Sequence, residues 1–458
     1  NKISSPAYHS PPYGGGAGGG AFPSPFFLFP YWGGARGRAF SCMIELFHST
    51  RTASYTLSRL TEADRTAVLL HLADATEAHI EQLLAANADD LSRMSEDNPL
   101  YDRLQLTPKR LHDIAAALRN VAHLDNPLGE VFDQKTLPNG LLLRKQRVAY
   151  GVVGVVYEAR PNVSFDVFAL CFKTGNACVL KGGKDADMSN RAIVALIKEV
   201  LRAHNVDENV VCLLPATHES THEMLTAVGY IDLCIPRGGR RLIDFVRDTA
   251  RIPVIETGAG VVHTYFDELG DTAMGARIIE NGKTRRVSVC NALDCLIIHR
   301  SRIGALPQLL APLAAKHVHV YADAQAYDVL AANGYAAKLT RVTPDMADEV
   351  YGTEFMSYTL AVKTVENIDE ALAHIRQYGS GHSEAIITES KHNAQLFQQQ
   401  VDAACVYWNA PTSFTDGGEF GLGAEIGIST QKLGPRGPMG LQALTTYKWL
   451  IDGEGQVR

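Results

Sequence analysis

The feature that most constrains this chain is a change of pattern at Val148. From there on, short and wholly apolar runs alternate with amphipathic helical stretches. Val148–Tyr157, Ala177–Leu180, Val210–Leu214, Ile231–Ile235 and Pro253–Ile255 are such runs, and Ile193, Val194, Ile197, Val200 and Leu201 between them recur at helical spacing. A strand buried on both faces reads as a continuous apolar run, so the pattern specifies a doubly wound α/β unit with a parallel sheet. In that architecture ligands gather at the carboxyl ends of the strands. Those ends carry Glu158-Ala-Arg160-Pro-Asn162, Lys181-Gly-Gly-Lys184 and Pro236-Arg-Gly238-Gly239-Arg240. The last sets two glycines at a helix start, where backbone N–H groups can meet phosphate. No G-x-G-x-x-G follows the first strand, so the ordinary dinucleotide fingerprint is missing.

A second α/β pattern follows Glu256-Thr-Gly-Ala-Gly260, with strands expected at Val261–Phe266, Leu296–His299, His317–Tyr321, Thr359–Val362 and Ala385–Ile387. Phe414–Gly427 is glycine-rich and is expected to be a loop along a cleft. Upstream, residues 61–86 read as one amphipathic helix opened by a Thr61/Asp64 capping box. Thr107-Pro108 supplies an N-cap and an N1 proline for another. Val131-Phe132 and Leu141–Leu143 flank Pro138-Asn139-Gly140, a hairpin signal. Leu444–Ile451 is strand-like and is expected to pair with that hairpin.

With 458 residues the chain exceeds one compact core. Its 46% hydrophobic and 20% charged residues are those of a soluble globular protein. A formal net charge of −7 gives no basis for nucleic-acid or anionic-membrane binding. No apolar run approaches the roughly 18–20 residues that span a bilayer. The eight cysteines form no CxxC pair and no metal-ligand spacing, as expected of free thiols in a reducing cytoplasm. Residues 1–42, rich in Gly, Pro and Ser, lack either period and are expected to be a disordered low-complexity tail, with folded sequence beginning near Met43.

One stretch carries reactive chemistry: Asn281-Gly-Lys-Thr-Arg-Arg-Val-Ser-Val-Cys290-Asn-Ala292. Cys290 follows Lys283, Arg285 and Arg286, and neighbouring cations favour the nucleophilic thiolate. The plainer reading is a buried small hydrophobe. What decides between them is the company of further motifs.

Those motifs are Tyr157-Glu-Ala-Arg-Pro-Asn162-Val, Leu180-Lys-Gly-Gly-Lys184, Ile235-Pro-Arg-Gly-Gly239, Val254-Ile-Glu-Thr-Gly258, the Cys290 stretch, Phe414-Thr-Asp-Gly, Gly423-Ala-Glu-Ile-Gly-Ile-Ser-Thr-Gln-Lys432, Arg436-Gly-Pro-Met-Gly440 and Ala443-Leu-Thr-Thr-Tyr-Lys-Trp449. With them, the chain from about Met43 to Arg458 resembles the γ-glutamyl phosphate reductases (glutamate-5-semialdehyde dehydrogenases) of the aldehyde dehydrogenase superfamily. The resemblance implies a Rossmann-like nicotinamide domain (43–130 and 148–258) without the glycine fingerprint. It implies a catalytic α/β domain (259–430) and a β oligomerisation element (131–147 and 441–458). Gly282, Arg285 and Val287 depart from the family's usual Ala, Gln and Pro.

The reaction implied is NADPH-dependent reduction of L-glutamyl 5-phosphate to glutamate 5-semialdehyde and phosphate, through a thioester on Cys290. By the same resemblance Asn162 is an oxyanion donor, Lys181 addresses the adenosine ribose or its 2′-phosphate, and Gly238 and Gly239 approach the pyrophosphate. Glu354 and Phe355 address the nicotinamide ribose. Arg160, Lys283 and Arg286 are candidate substrate cations. Glu256 occupies the position of the general base in oxidising relatives, a base that a reductase can dispense with. His263 and His382 receive no role, and no metal is expected. A homo-oligomer in the cytoplasm, with glutamate 5-kinase as a further partner, completes the expectation. The rivals are an oxidising aldehyde dehydrogenase, the reductase half of a kinase fusion, and an inactive binding relative.

Overall fold

The computed structural model describes residues 35–98 and 101–458, with side chains from Met43. Of the expected tail, residues 1–34 lie outside the described residues, and the first helix, Ala35–Ser54, begins inside that stretch. The capping box forms as expected: the Thr61 hydroxyl accepts from the Asp64 N–H, and the Asp64 carboxylate accepts from the Thr61 N–H. The single helix expected over 61–86 is two, Glu62–Ala78 and Ile80–Leu91, broken at His79. There the backbone leaves helical geometry, and the His79 ring bonds the Ala75 carbonyl at 2.8 Å. Helix Pro108–His123 starts at the expected Thr107 cap.

The hairpin is β1 (Val131–Thr136) and β2 (Leu142–Ala149), turned at Gly140 with φ +86°. The expected run Val148–Tyr157 divides between two sheets, because the chain turns at Gly151 (φ +124°) before β3 (Val152–Tyr157). Strands β4 (Ala177–Lys181), β5 (Val211–Leu213) and β6 (Leu233–Arg237) complete a parallel sheet of order β5-β4-β3-β6. Pro253–Ile255 contributes only a bridge, Val254 to Cys234. The second sheet comprises β7 (His263–Phe266), β8 (Cys295–His299), β9 (His319–Ala322), β10 (Leu339–Arg341), β11 (Thr359–Val365), β12 (Ser383–Ile387) and β13 (Cys405–Trp408). Its order is β10-β9-β11-β8-β7-β12-β13, all parallel. Strands β10 and β13 escaped the sequence reading, being short and broken by polar or half-exposed positions.

After a small pair, β14 (Ile428–Ser429) with β15 (Gly437–Pro438), the chain ends in β16 (Thr445–Asp452). β16 pairs antiparallel with β2 from Thr445↔Ala149 to Asp452↔Leu142, as expected. This three-stranded sheet exposes Phe132, Tyr447, Trp449 and Ile451.

In the first sheet the chain winds one way from β3 through β4 to β5, then returns to the other side of β3 as β6. The carboxyl ends of β3 and β6 therefore flank a topological switch point, the crevice such sheets offer to ligands. The second sheet turns its amino ends to the same place: segments 257–260, 285–291 and 354–356 precede β7, β8 and β11. Residues Met43–Arg458 form one compact unit.

Beneath the cleft, His382 is wholly buried; its Nδ1 pairs with Ser383 Oγ at 2.8 Å, and that oxygen pairs with Thr415 Oγ1 at 2.7 Å. Burial pushes the His382 pKa down to about 4. The unfolded chain would take up a proton near pH 6.5 that the folded protein refuses. As pH falls from 6.5 towards 4, wild type should therefore lose stability relative to His382→Gln by about 1.4 kcal/mol per pH unit. Parallel urea melts of the two proteins across that window check this; parallel stability curves would refute it.

Candidate active site

A cavity of about 340 Å³ opens at the switch point. Its walls are Glu158–Arg160 after β3, Arg237–Gly239 after β6, Thr257–Ala259, Arg285–Arg286, Ser288–Asn291, Glu354, Met356, Thr415–Asp416 and Glu425. Among the described free cysteines Cys290 is the one that is not buried. Its backbone is packed tightly: a Cβ on Gly260 would fall on the Cys290 carbonyl oxygen. Asn291, next in the chain, is anchored by its amide donating to the carbonyl of Thr415 at 3.0 Å.

The thiol's electrostatics differ from expectation. Its pKa is pushed up to about 12, first by burial and then by the facing Glu354 and Glu425 carboxylates, with Arg237 opposing. Adjacency in sequence to three cations does not place them on the sulfur. Lys283 is wholly buried outside the cavity, with Nζ 3.7 Å from Asp294 Oδ1 and lying over the Phe355 ring. Arg285 and Arg286 stand exposed at the rim.

Besides Arg285, whose guanidinium donates to the Ser413 carbonyl at 3.4 Å, four guanidiniums line the cavity, those of Arg103, Arg160, Arg237 and Arg286. Burial and the other three hold the Arg160 pKa below its ordinary value. Among the described residues none of the four forms an ion pair, and Arg237 Nη1 is buried without any hydrogen-bond partner. Such a set invites an anion, because arginine meets phosphate or carboxylate with paired N–H donors. Arg103 sits in the short helix Tyr101–Leu104, which carries no sequence signal; Arg237 and Glu425 lie inside motifs whose glycines drew the attention.

The remaining expected residues are placed as follows. Asn162 opens helix Asn162–Lys173, and its amide donates to Asp166 at 3.0 Å; its neighbours Arg160 and Val163 line the cavity, while Asn162 does not. Gly239 caps helix Arg240–Thr249, and its N–H donates to a Glu158 carboxylate oxygen at 3.1 Å. That helix start already holds an anion. Lys181, at the end of β4, is buried with Nζ donating to the Gly182 carbonyl. Glu354 lines the cavity; Phe355 does not, its N–H donating to Asp294 Oδ1 at 3.1 Å. Glu256 faces an adjoining cavity, 3.6 Å from Arg247, beyond Gly258 and Ala259. His263 is wholly buried against Glu384 at 3.0 Å, remote from any lining role. A Cβ at Gly282 would make only ordinary contacts with Leu293 and Pro411, so glycine there does not reshape the Cys290 stretch.

Comparison with known proteins gives the family. The family model "Aldehyde dehydrogenase family" matches residues 42–329. The γ-glutamyl phosphate reductase of Bacteroides fragilis is 56% identical over 414 residues, covering 90% of this chain and 99% of that protein. That of Legionella pneumophila (strain Lens) is 53% identical over 410 residues, covering 90% and 97%. The crystal structure of the Thermotoga maritima γ-glutamyl phosphate reductase superposes with a TM-score of 0.86 at 38% identity, covering 91% of this chain and 99% of that one. A sheet pair meeting at a cysteine-bearing cleft is thus the aldehyde dehydrogenase fold, that of an oxidoreductase family that works with a nicotinamide cofactor. Within it, the chain belongs to the γ-glutamyl phosphate reductases, which reduce glutamyl 5-phosphate in proline biosynthesis.

Proposed function

We propose that the chain performs this reduction with NADPH through a thioester on Cys290. The observation that carries the reading is a half-buried thiol sharing one cleft with four guanidiniums that lack a partner among the described residues. An acyl phosphate brings the anion those groups need and the carbon the sulfur attacks. Cys290 Sγ bonds to the acyl carbon as its S–H proton passes to the phosphate; the C–O bond breaks and its electron pair leaves with that phosphate, held by Arg160 and its neighbours. The oxyanion formed on the way is met by the Cys290 N–H and by the Asn162 amide, which must turn from Asp166. A bound nicotinamide supplies the hydride. The C–S bond then breaks, its electrons return to Sγ, and the aldehyde departs.

The fit to a dinucleotide rests on the carboxylate already held at Gly239, on the open space at that glycine, and on the Lys181 ammonium at a strand end. Gly238 and Gly239 would take the pyrophosphate, Lys181 the adenosine ribose or its 2′-phosphate, and Glu354 with Phe355 the nicotinamide ribose. This assigns the first sheet and its helices to the cofactor, and the second to the reacting thiol. The position of Glu256, in the adjoining cavity, suits a reductase that keeps water from the thioester. Lys283 is better read as a support for the Asp294–Phe355 contact than as a substrate ligand.

The exposed aromatic face of β1, β2 and β16 fits a homo-oligomeric contact. No described helix is long and apolar enough to cross a membrane; we place the enzyme in the cytoplasm, where glutamate 5-kinase would supply its labile substrate.

The test is the reverse reaction. With glutamate 5-semialdehyde, NADP⁺ should be reduced only when phosphate or arsenate is present, and faster than NAD⁺. Oxidation that proceeds without either anion would make the chain an oxidising dehydrogenase instead.

A further inference from the structure

The cleft holds charges of both signs that do not pair with each other. Glu354, Asp416 and Glu425 line it together with the four arginines, yet among the described residues no ion pair joins any of the three to any guanidinium. Asp416 and Glu425 are also held in place. Glu425 Oε2 accepts from the Gly417 N–H at 2.8 Å, and Asp416 Oδ1 accepts from the Gly418 N–H at 2.8 Å, so one glycine turn fixes both carboxylates. Each has a second oxygen free of that turn. A Cβ on Gly417 would come within 2.8 Å of the Glu425 Cβ, so the close approach depends on glycine. Pinned carboxylates kept apart from nearby arginines suit a ligand that is itself both cation and anion. Arg237 Nη1, buried and unpartnered, independently marks a missing anion in the same space.

We infer that Asp416 and Glu425 form the seat for the substrate's α-ammonium, and so select an amino-acid acyl phosphate over one lacking the amine. The inference rests on the Cys290 reading above and deepens it. Glu354 is set aside because it addresses the cofactor, and Glu158 because it stands at the Gly239 N–H, the place assigned to the pyrophosphate. The guanidiniums take the phosphate and α-carboxylate, and the two carboxylates take the ammonium, so every charge on the substrate meets its opposite. Neutralising Glu425 in this way also removes one of the two carboxylates that oppose ionisation of the Cys290 thiol. Burial first, and then the facing Asp416 charge, hold the Glu425 pKa up, and the Gly417 N–H and Arg237 oppose them.

The experiment compares two aldehydes in the reverse direction, glutamate 5-semialdehyde and 5-oxopentanoate, which differ by the amine. Wild type should favour the aminated aldehyde about a hundredfold in kcat/KM, since a hydrogen-bonded charge left without its partner costs one to two powers of ten. Glu425→Gln and Asp416→Asn keep an oxygen for the glycine N–H groups while losing the charge. In each, the preference should fall about tenfold or more through KM for the aminated aldehyde, read as the ratio of the two kcat/KM values in the same variant, so that any change in Cys290 ionisation, common to both aldehydes, cancels. Equal losses on both aldehydes would assign the two carboxylates a structural role, and an unchanged preference would likewise overturn the inference. Thermal melts show whether a variant has failed to fold; if one has, the other decides. Activity that survives Cys290→Ala would sink the thioester reading, whereas a Cys290-dependent enzyme with an unmoved preference sinks only the ammonium seat.

Discussion

Gly260→Ala should lower turnover by roughly two powers of ten or more, although position 260 carries no side chain to lose. The added Cβ would fall on the Cys290 carbonyl oxygen, 2.6 Å from its carbon and 3.0 Å from its Cα. These are backbone atoms, so no flexible side chain can swing aside. One of the two backbones must move by an ångström or more, and a displacement of about 1 Å at a reacting group costs on the order of 10²-fold. The Gly260 N–H also supports the Glu354 carboxylate, so the shift reaches the cofactor side of the cleft. Overpacking should cost about 1–3 kcal/mol of stability. Steady-state rates with a melting curve for the same preparation check both parts; near-normal kcat would mean that the Cys290 loop tolerates displacement and is not the reacting centre.

Cys290→Ala should have the larger chemical effect and a small structural one. Removing the nucleophile takes away the covalent route, and losses of about 10⁴-fold or more are ordinary for such changes. The side chain is half-buried at the cavity wall, so the fold should survive. The control is Cys212→Ala in β5: that thiol is buried, with its pKa pushed up to about 11, and it should be inert to iodoacetamide and dispensable for turnover. Among the described cysteines mass spectrometry should find the label on Cys290 alone, with uptake steepening as pH rises, because the thiol ionises only at high pH. Persistent turnover in Cys290→Ala would remove the thioester mechanism.

Much of this molecule was legible in its residues. The unbroken apolar runs of β3, β4 and β6 could only be strands buried on both faces. Pro138-Asn139-Gly140 turned where its chemistry required, and β16 found the hairpin. What sequence could not convey was direction. Lys283 follows a helical stretch two residues before two exposed arginines, yet its position on helix Thr272–Thr284 turns it into the core against Asp294. Asn162 opens a helix, where its amide reaches Asp166 one turn on. Charges brought together by tertiary structure were equally hidden: Glu425 and Glu354 come from segments far from Cys290, and they outweigh the cations beside it in the chain.

The backbone of Gly258 and Ala259 borders both the thiol cavity and the chamber containing Glu256. Thr430 packs on this partition so closely that a methyl on Gly258 would lie 2.8 Å from Thr430 Cγ2. Space in the two chambers is therefore shared: widening one narrows the other. Any effort to broaden substrate acceptance from one side must reckon with a wall that has no slack to give.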